Sequence, residues 1–176
     1  MTEETRAPWL NYMALATVIL AVCATLSTFK GGGYSTLSVI NQALSSDQWA
    51  FYQAKSTKQQ LHELKVEQYT LQAQALAADN PARAAYTAAA GKAADQVARY
   101  EKEKQDIKAK AEAFELARDD AKAHGKPFGL AVIFLQVSIL LNSISGLLKA
   151  PRIWWSSVPV GLVGLALFAN GFLGLF

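Results

Sequence analysis

Residues 86–121 read YTAAAGKAADQVARYEKEKQDIKAKAEAFELARDDA. Within them Tyr86, Ala90, Ala93, Val97, Tyr100, Lys104, Ile107, Ala111, Phe114, Arg118 and Ala121 follow one another at steps of 4 and 3 without a break. Nine of these eleven positions are apolar, which is the seam of a coiled coil. Asp95 with Arg99, and Asp106 with Lys110, are acid-first pairs four residues apart and mark the solvated face. The stretch is one side of a long helical pairing, so the chain must supply the other.

Upstream, no Pro or Gly occurs from Tyr34 to Ala78, and Asp79-Asn80-Pro81 then signals a turn. Two helices over about 34–78 and 82–124 follow, antiparallel because their connection is short. The Gly31-Gly32-Gly33 run is expected to separate this hairpin from what precedes it. Gly125-Lys126-Pro127 is expected to stop the second helix. In the first helix the apolar row is Leu37, Ile40, Leu44, Asp47, Phe51 and Ala54. After a one-residue slip it continues as Thr57, Leu61, Leu64, Gln68, Leu71 and Ala75. Such a slip is a stammer, which overwinds a coiled coil locally. Twelve alanines in residues 73–94 allow close backbone approach near the turn.

The flanks are of another kind. Residues 8–29, 128–148 and 153–176 carry all but a few of the long apolar runs and have no charged side chain. Each exceeds the ~18 residues needed to cross a bilayer. The chain of 176 residues is 52% hydrophobic, too apolar for one soluble domain, and the excess sits in these three runs. The fold class is therefore an all-α membrane protein: three transmembrane helices, with a long antiparallel coiled-coil hairpin (30–127) between the first and second spans. Residues 1–7 form an N-terminal tail and 149–152 a short loop. The first span reads as a retained anchor, since its apolar run is too long for a leader and MTEETR is not basic. Trp154, Trp155, Ser156 and Ser157 form an interfacial belt, with Pro159 in the first turn of the third span. That span should end at the far interface, at Phe176.

The segment SSDQWAFYQAKSTKQQ, residues 45–60, has no clean polar or apolar face. On a helix its large side chains surround the axis. Contact from several sides, by the hairpin mate and by neighbouring subunits, explains this best; an aromatic belt or a ligand site are the alternatives. Asp47, Trp49, Phe51, Tyr52 and Lys55 are the oligomer-interface candidates, with Asp47 and Lys55 each expected to pair with another helix. A hairpin whose seam holds Asp47, Lys104 and Arg118 buries little and needs further helices.

The run Asn41-Gln42-Ala43, followed by Ser46-Asp47-Gln48-Trp49-Ala50-Phe51-Tyr52-Gln53-Ala54-Lys55-Ser56-Thr57-Lys58, resembles a bacterial membrane family catalogued as domain of unknown function 4337. The resemblance extends over nearly the whole chain. It implies a bacterial inner-membrane protein with this order of spans and helices, and carries no activity.

Chemistry-bearing patterns are missing. There is no GxxxxGK[ST], no GxGxxG after a strand, no HExxH and no CxxC. His62 beside Glu63 reads as a surface histidine rather than a metal ligand, and Cys23 as a packing residue in the first span. Net charge is +3, and residues 31–127 hold 13 basic against 12 acidic side chains, so no basic stripe offers a nucleic-acid surface. No catalytic, metal or cofactor site is expected. Within the spans Gln136, Ser138, Asn142, Ser145 and Asn170 are intramembrane packing candidates, as are the glycines at 161, 164 and 171. A transport path normally carries ionisable groups inside the membrane, and none is present.

The expected function is a structural, non-enzymatic scaffold that forms a homo-oligomer in the bilayer. A small channel or transporter accessory subunit is the rival, and a membrane-anchored sensor the third reading. An unidentified membrane protein stays open as a partner. The loop with Lys149 and Arg152 places the N-terminus in the cytoplasm and the hairpin in the periplasm by the positive-inside rule.

Overall fold

The computed structural model describes residues 8–174. Those residues form three helices: α1 (Pro8–Gln74), α2 (Pro81–Leu148) and α3 (Pro151–Leu173). All three are long and apolar enough, over part of their length, to cross a membrane. The N-terminal tail and Phe176 lie outside the described residues. The chain divides into two compact units. One gathers α1 up to Val39, α2 from Arg118, and α3; the other is Ile40–Ala117.

Two expected helix breaks do not occur. The α1 helix runs through Gly31-Gly32-Gly33, and α2 runs through Gly125 and Pro127. The local costs are real: about 1 kcal/mol for each helical glycine, and a lost donor at Pro127. Tertiary packing overrides them where α1 and α2 approach. A Cβ built on Gly31 would stand 3.2 Å from the Phe128 Cβ, and one on Gly125 would stand 3.1 Å from the Tyr34 Cβ. Tyr34 fills the space this leaves, its ring 5.7 Å from His124 and 6.1 Å from Phe128. Glycine here permits the contact that keeps both helices continuous.

The turn forms where Asp79-Asn80-Pro81 calls for one. Asn80 caps α2: its Oδ1 accepts the Ala82 amide at 2.9 Å, and Pro81 takes the first helical position, where no amide donor is needed. Between α2 and α3 only Lys149 and Ala150 intervene. Lys149 adopts φ 50°, a left-handed residue that closes α2, and Pro151 opens α3. The third helix thus starts eight residues before Pro159, which lies inside it and not in its first turn.

In the three-helix unit, Leu20, Ala24, Ala131 and Leu135 form the buried core, packed by Cys23, Ile139, Leu165, Leu167 and Phe168. Glycines bring α3 onto α2. A Cβ on Gly164 would fall 2.9 Å from Leu135 side-chain atoms, and one on Gly171 2.8 Å from the Phe128 ring.

The unit Ile40–Ala117 is an antiparallel pair of helices. Its α2 row is as the sequence predicts, since every residue from Tyr86 to Phe114 at the 4–3 steps is buried or half-buried. Its α1 row is not. Ile40, Leu44, Asp47, Phe51, Ala54, Thr57, Leu61, Leu64, Gln68, Leu71 and Ala75 are all exposed. The covered row is Asn41, Ser45, Gln48, Tyr52, Lys55, Gln59, His62, Val66, Tyr69 and Ala73. It steps by 4 and 3 throughout, so the helix carries no stammer. The polar row faces inward because α2 holds buried or half-buried charges there, Lys104 and Glu115 among them, which need polar partners.

Candidate functional site

Two groups of polar side chains stand out, one in each unit. In the unit Ile40–Ala117, the covered face of α1 is built from hydroxyls, amides and aromatic rings. Near its Ile40 end, the Trp49 indole Nε1 donates to Glu115 Oε1 at 2.8 Å, and the Ser45 hydroxyl donates to the same oxygen at 3.4 Å. Trp49 also meets the Tyr52 ring edge-on, with centroids 5.6 Å apart.

One turn further, two lysines enter the seam. Lys104, only 9% exposed, donates to Gln59 Oε1 at 3.0 Å and to Glu101 at 3.3 Å. Its ammonium lies 5.2 Å from the Tyr52 ring centre. Lys55 donates to Glu103, which also accepts from Arg99 at 2.8 Å. The Lys55 ammonium lies 5.3 Å from both the Phe51 and Tyr100 rings. Aromatic faces thus share the task of solvating both cations. The hydrogen bonds from Lys55 and Arg99 hold the Glu103 carboxyl below the usual glutamate range. Those from Gln105 and Lys104 do the same for Glu101. Towards the turn, His62 packs on Tyr100 and Tyr69 stacks on Tyr86. His62 is half-buried, with no partner for its Nδ1, and is not the surface histidine expected.

The mixed composition of residues 45–60 has a simple cause. Trp49, Tyr52 and Lys55 all meet the hairpin's own second helix, the first of the two kinds of contact expected for them. Lys55 finds its partner on another helix as expected, but one of the same chain. Asp47 and Phe51 point outward and are exposed. The residues that sequence reasoning missed are Ser45, Gln59, Glu103 and Glu115. Hydrophobic periodicity does not single them out, because on α1 it favours the exposed row.

In the three-helix unit, Asn142 is the hub. Its amide nitrogen donates to Thr17 Oγ1 at 3.0 Å, and its carbonyl oxygen accepts from the Ser157 hydroxyl. Ser138 donates to the Ser157 carbonyl oxygen at 3.0 Å. All three helices are therefore joined by one network, and Asn142, Ser138 and Ser157 are each no more than 2% exposed. Ser145 donates to the Ala150 carbonyl at 2.9 Å and fastens the α2–α3 connection. Asn170 is buried, whereas Gln136 is exposed on the outer face. A cleft of about 200 Å³ beside the network is lined mainly by apolar residues, among them Ile19, Leu20, Val158 and Leu162. The network's hydrogen bonds are spent on linking helices, which is what such groups do in lipid.

Among the described residues, no three His, Cys, Asp or Glu side chains cluster so as to hold a metal ion. The family described as domain of unknown function (DUF4337) matches residues 9–174. No curated protein and no solved structure matches the chain.

Proposed function

The chain belongs to the DUF4337 family, and we propose that it is a non-enzymatic scaffold of the bacterial inner membrane. In this reading it assembles into a homo-oligomer through its spans and its hairpin, the latter as a coiled coil. One observation carries the proposal. In the unit Ile40–Ala117 the buried apolar side chains are Ala73, Ala93, Ile107 and Ala111, while Ile40, Leu44, Phe51, Leu61, Leu64, Leu71 and Leu116 are exposed. Ile107 is thus the one large aliphatic side chain of this unit that is buried, against seven large apolar side chains that are exposed. A helical pair with so little apolar burial gains its stability by packing against further helices.

The spans support the same reading. Thr17, Asn142 and Ser157 bond to one another, and no Asp, Glu, Lys, Arg or His side chain occurs in residues 8–29, 128–148 or 153–176. A transport path would need such groups or a wet lining. In this arrangement the N-terminus is cytoplasmic and the hairpin periplasmic, following Lys149 and Arg152 in the short α2–α3 connection.

The test is the mass of the full chain extracted in mild detergent, measured by light scattering with detergent subtracted. The scaffold reading expects a discrete multiple of the chain mass. A monomer at every concentration, or ion conductance in reconstituted bilayers, contradicts it. For topology, a cysteine at Ala85 in a Cys23→Ala background should react with an impermeant maleimide in intact spheroplasts. Reaction only after lysis reverses the assignment.

A further inference from the structure

We propose that the outward row of α1 within the unit Ile40–Ala117 is the self-association surface, and that its occupant is the same row of a second copy. This deepens the scaffold reading and rests on it. Leu61, Leu64 and Leu71 form the densest part of the row, 52%, 63% and 58% exposed, and Ile40, Leu44 and Phe51 precede them on the outward side, offset round the helix by the one-residue slip after Ala54. Within each group the side chains recur at intervals of 3, 4 or 7 residues, the spacing of a helix face that receives another helix.

Three observations select a second copy. The first is area. Six large apolar residues, each roughly half bare, offer on the order of 500 Å² per copy, so a pair removes on the order of 1,000 Å², about what a specific interface must clear. The second is charge. The unit holds ten basic and ten acidic side chains, and α1 from Ile40 to Gln74 holds three of each, so two copies meet without net repulsion. The third is geometry. Copies inserted in one membrane share an orientation and a plane, which raises their effective concentration and lets one patch pair with itself about a two-fold axis. The covered row cannot serve, because Lys55, Gln59 and Ser45 already have partners on α2.

The experiment uses full-length protein in isolated membranes. In a Cys23→Ala background, Leu64→Cys is oxidised with copper–phenanthroline and compared with Lys102→Cys on the exposed face of α2. The expected result is a disulfide-linked dimer for Leu64→Cys, at least fivefold more than for Lys102→Cys. In parallel, Leu61→Glu with Leu64→Glu should reduce the detergent-extracted assembly to a smaller species that keeps wild-type helicity and melts at a lower midpoint, because the stabilising partner helix is lost. Both positions are exposed, so the fold tolerates the charges. Equal cross-linking at the two sites, or cross-linking of Leu64→Cys to a different protein, overturns the assignment. If wild type is oligomeric and the doubly charged variant is equally so, this surface is wrong and the scaffold reading stands. If wild type is monomeric, both fall.

Discussion

Trp49 and Glu115, 66 residues apart in sequence, meet across the hairpin with the indole nitrogen 2.8 Å from the carboxylate oxygen. The bond fixes which turn of α1 faces which turn of α2. An alanine-rich helical pair has many near-equivalent registers, and sparse polar contacts are a known way to choose one. Lys55–Glu103 and Lys104–Gln59 repeat the arrangement further along the pair.

Trp49→Phe keeps a ring and removes the donor. We predict a loss of about 1–2 kcal/mol, because the Glu115 carboxylate is left with a single, longer hydrogen bond from Ser45. Thermal unfolding followed by circular dichroism in detergent measures it. An unchanged midpoint would mean that the bond does not contribute.

Acid should weaken the hairpin through Glu103 and Glu101. Their carboxyls titrate lower when folded than when unfolded, held down chiefly by hydrogen bonds from Lys55 and from Gln105 respectively. A depressed carboxyl stabilises the fold above its unfolded pKa of about 4.3, and that contribution is lost as pH falls through the lower folded value. Melting midpoints should fall below about pH 4, and Glu103→Gln should flatten that fall. A Glu103→Gln profile identical to wild type contradicts the assignment.

The α2 row from Tyr86 to Ala121 is legible in sequence because its apolar residues and its covered residues coincide. On α1 they do not. Leu61, Leu64 and Leu71 follow the apolar row and are exposed, while Tyr52, Lys55 and Gln59 are covered. Periodicity finds the helix in both cases, but hydrophobicity picks the wrong face where the partner helix presents charges. Gly31–Gly33 and Pro127 mislead for a related reason: local propensity disfavours a helix, and contact with Tyr34 and Phe128 outweighs it. In the spans, Ser138, Asn142, Ser145 and Asn170 are legible as buried because lipid leaves polar groups few alternatives. Gln136 is the exception, on the outer face.

Asn142→Ala should loosen the three-helix unit by about 1–2 kcal/mol, leaving Ser157 and Thr17 without their shared partner. Asn142→Gln should not restore it, since the longer side chain displaces the amide from both. Steric trapping or detergent-denaturant melts read the change, and wild-type stability for Asn142→Ala would dismiss the network as incidental.

Glycines in the same unit should divide by their surroundings. Gly164→Ala places a methyl 3.0 Å or less from Leu135 atoms, backbone included, and should cost about 1–3 kcal/mol. Gly32→Ala meets nothing within 4 Å and should stabilise α1 by about 0.5–1 kcal/mol. Equal effects in the two variants would contradict the close approach of α3 to α2.

The central claim is that copies of this chain hold each other through surface the monomer leaves bare. Native mass spectrometry of full-length wild type, released from detergent micelles across a tenfold concentration range, tests it most directly. The account predicts one dominant species containing two or more copies. A single copy throughout, with the protein fully helical, would contradict it.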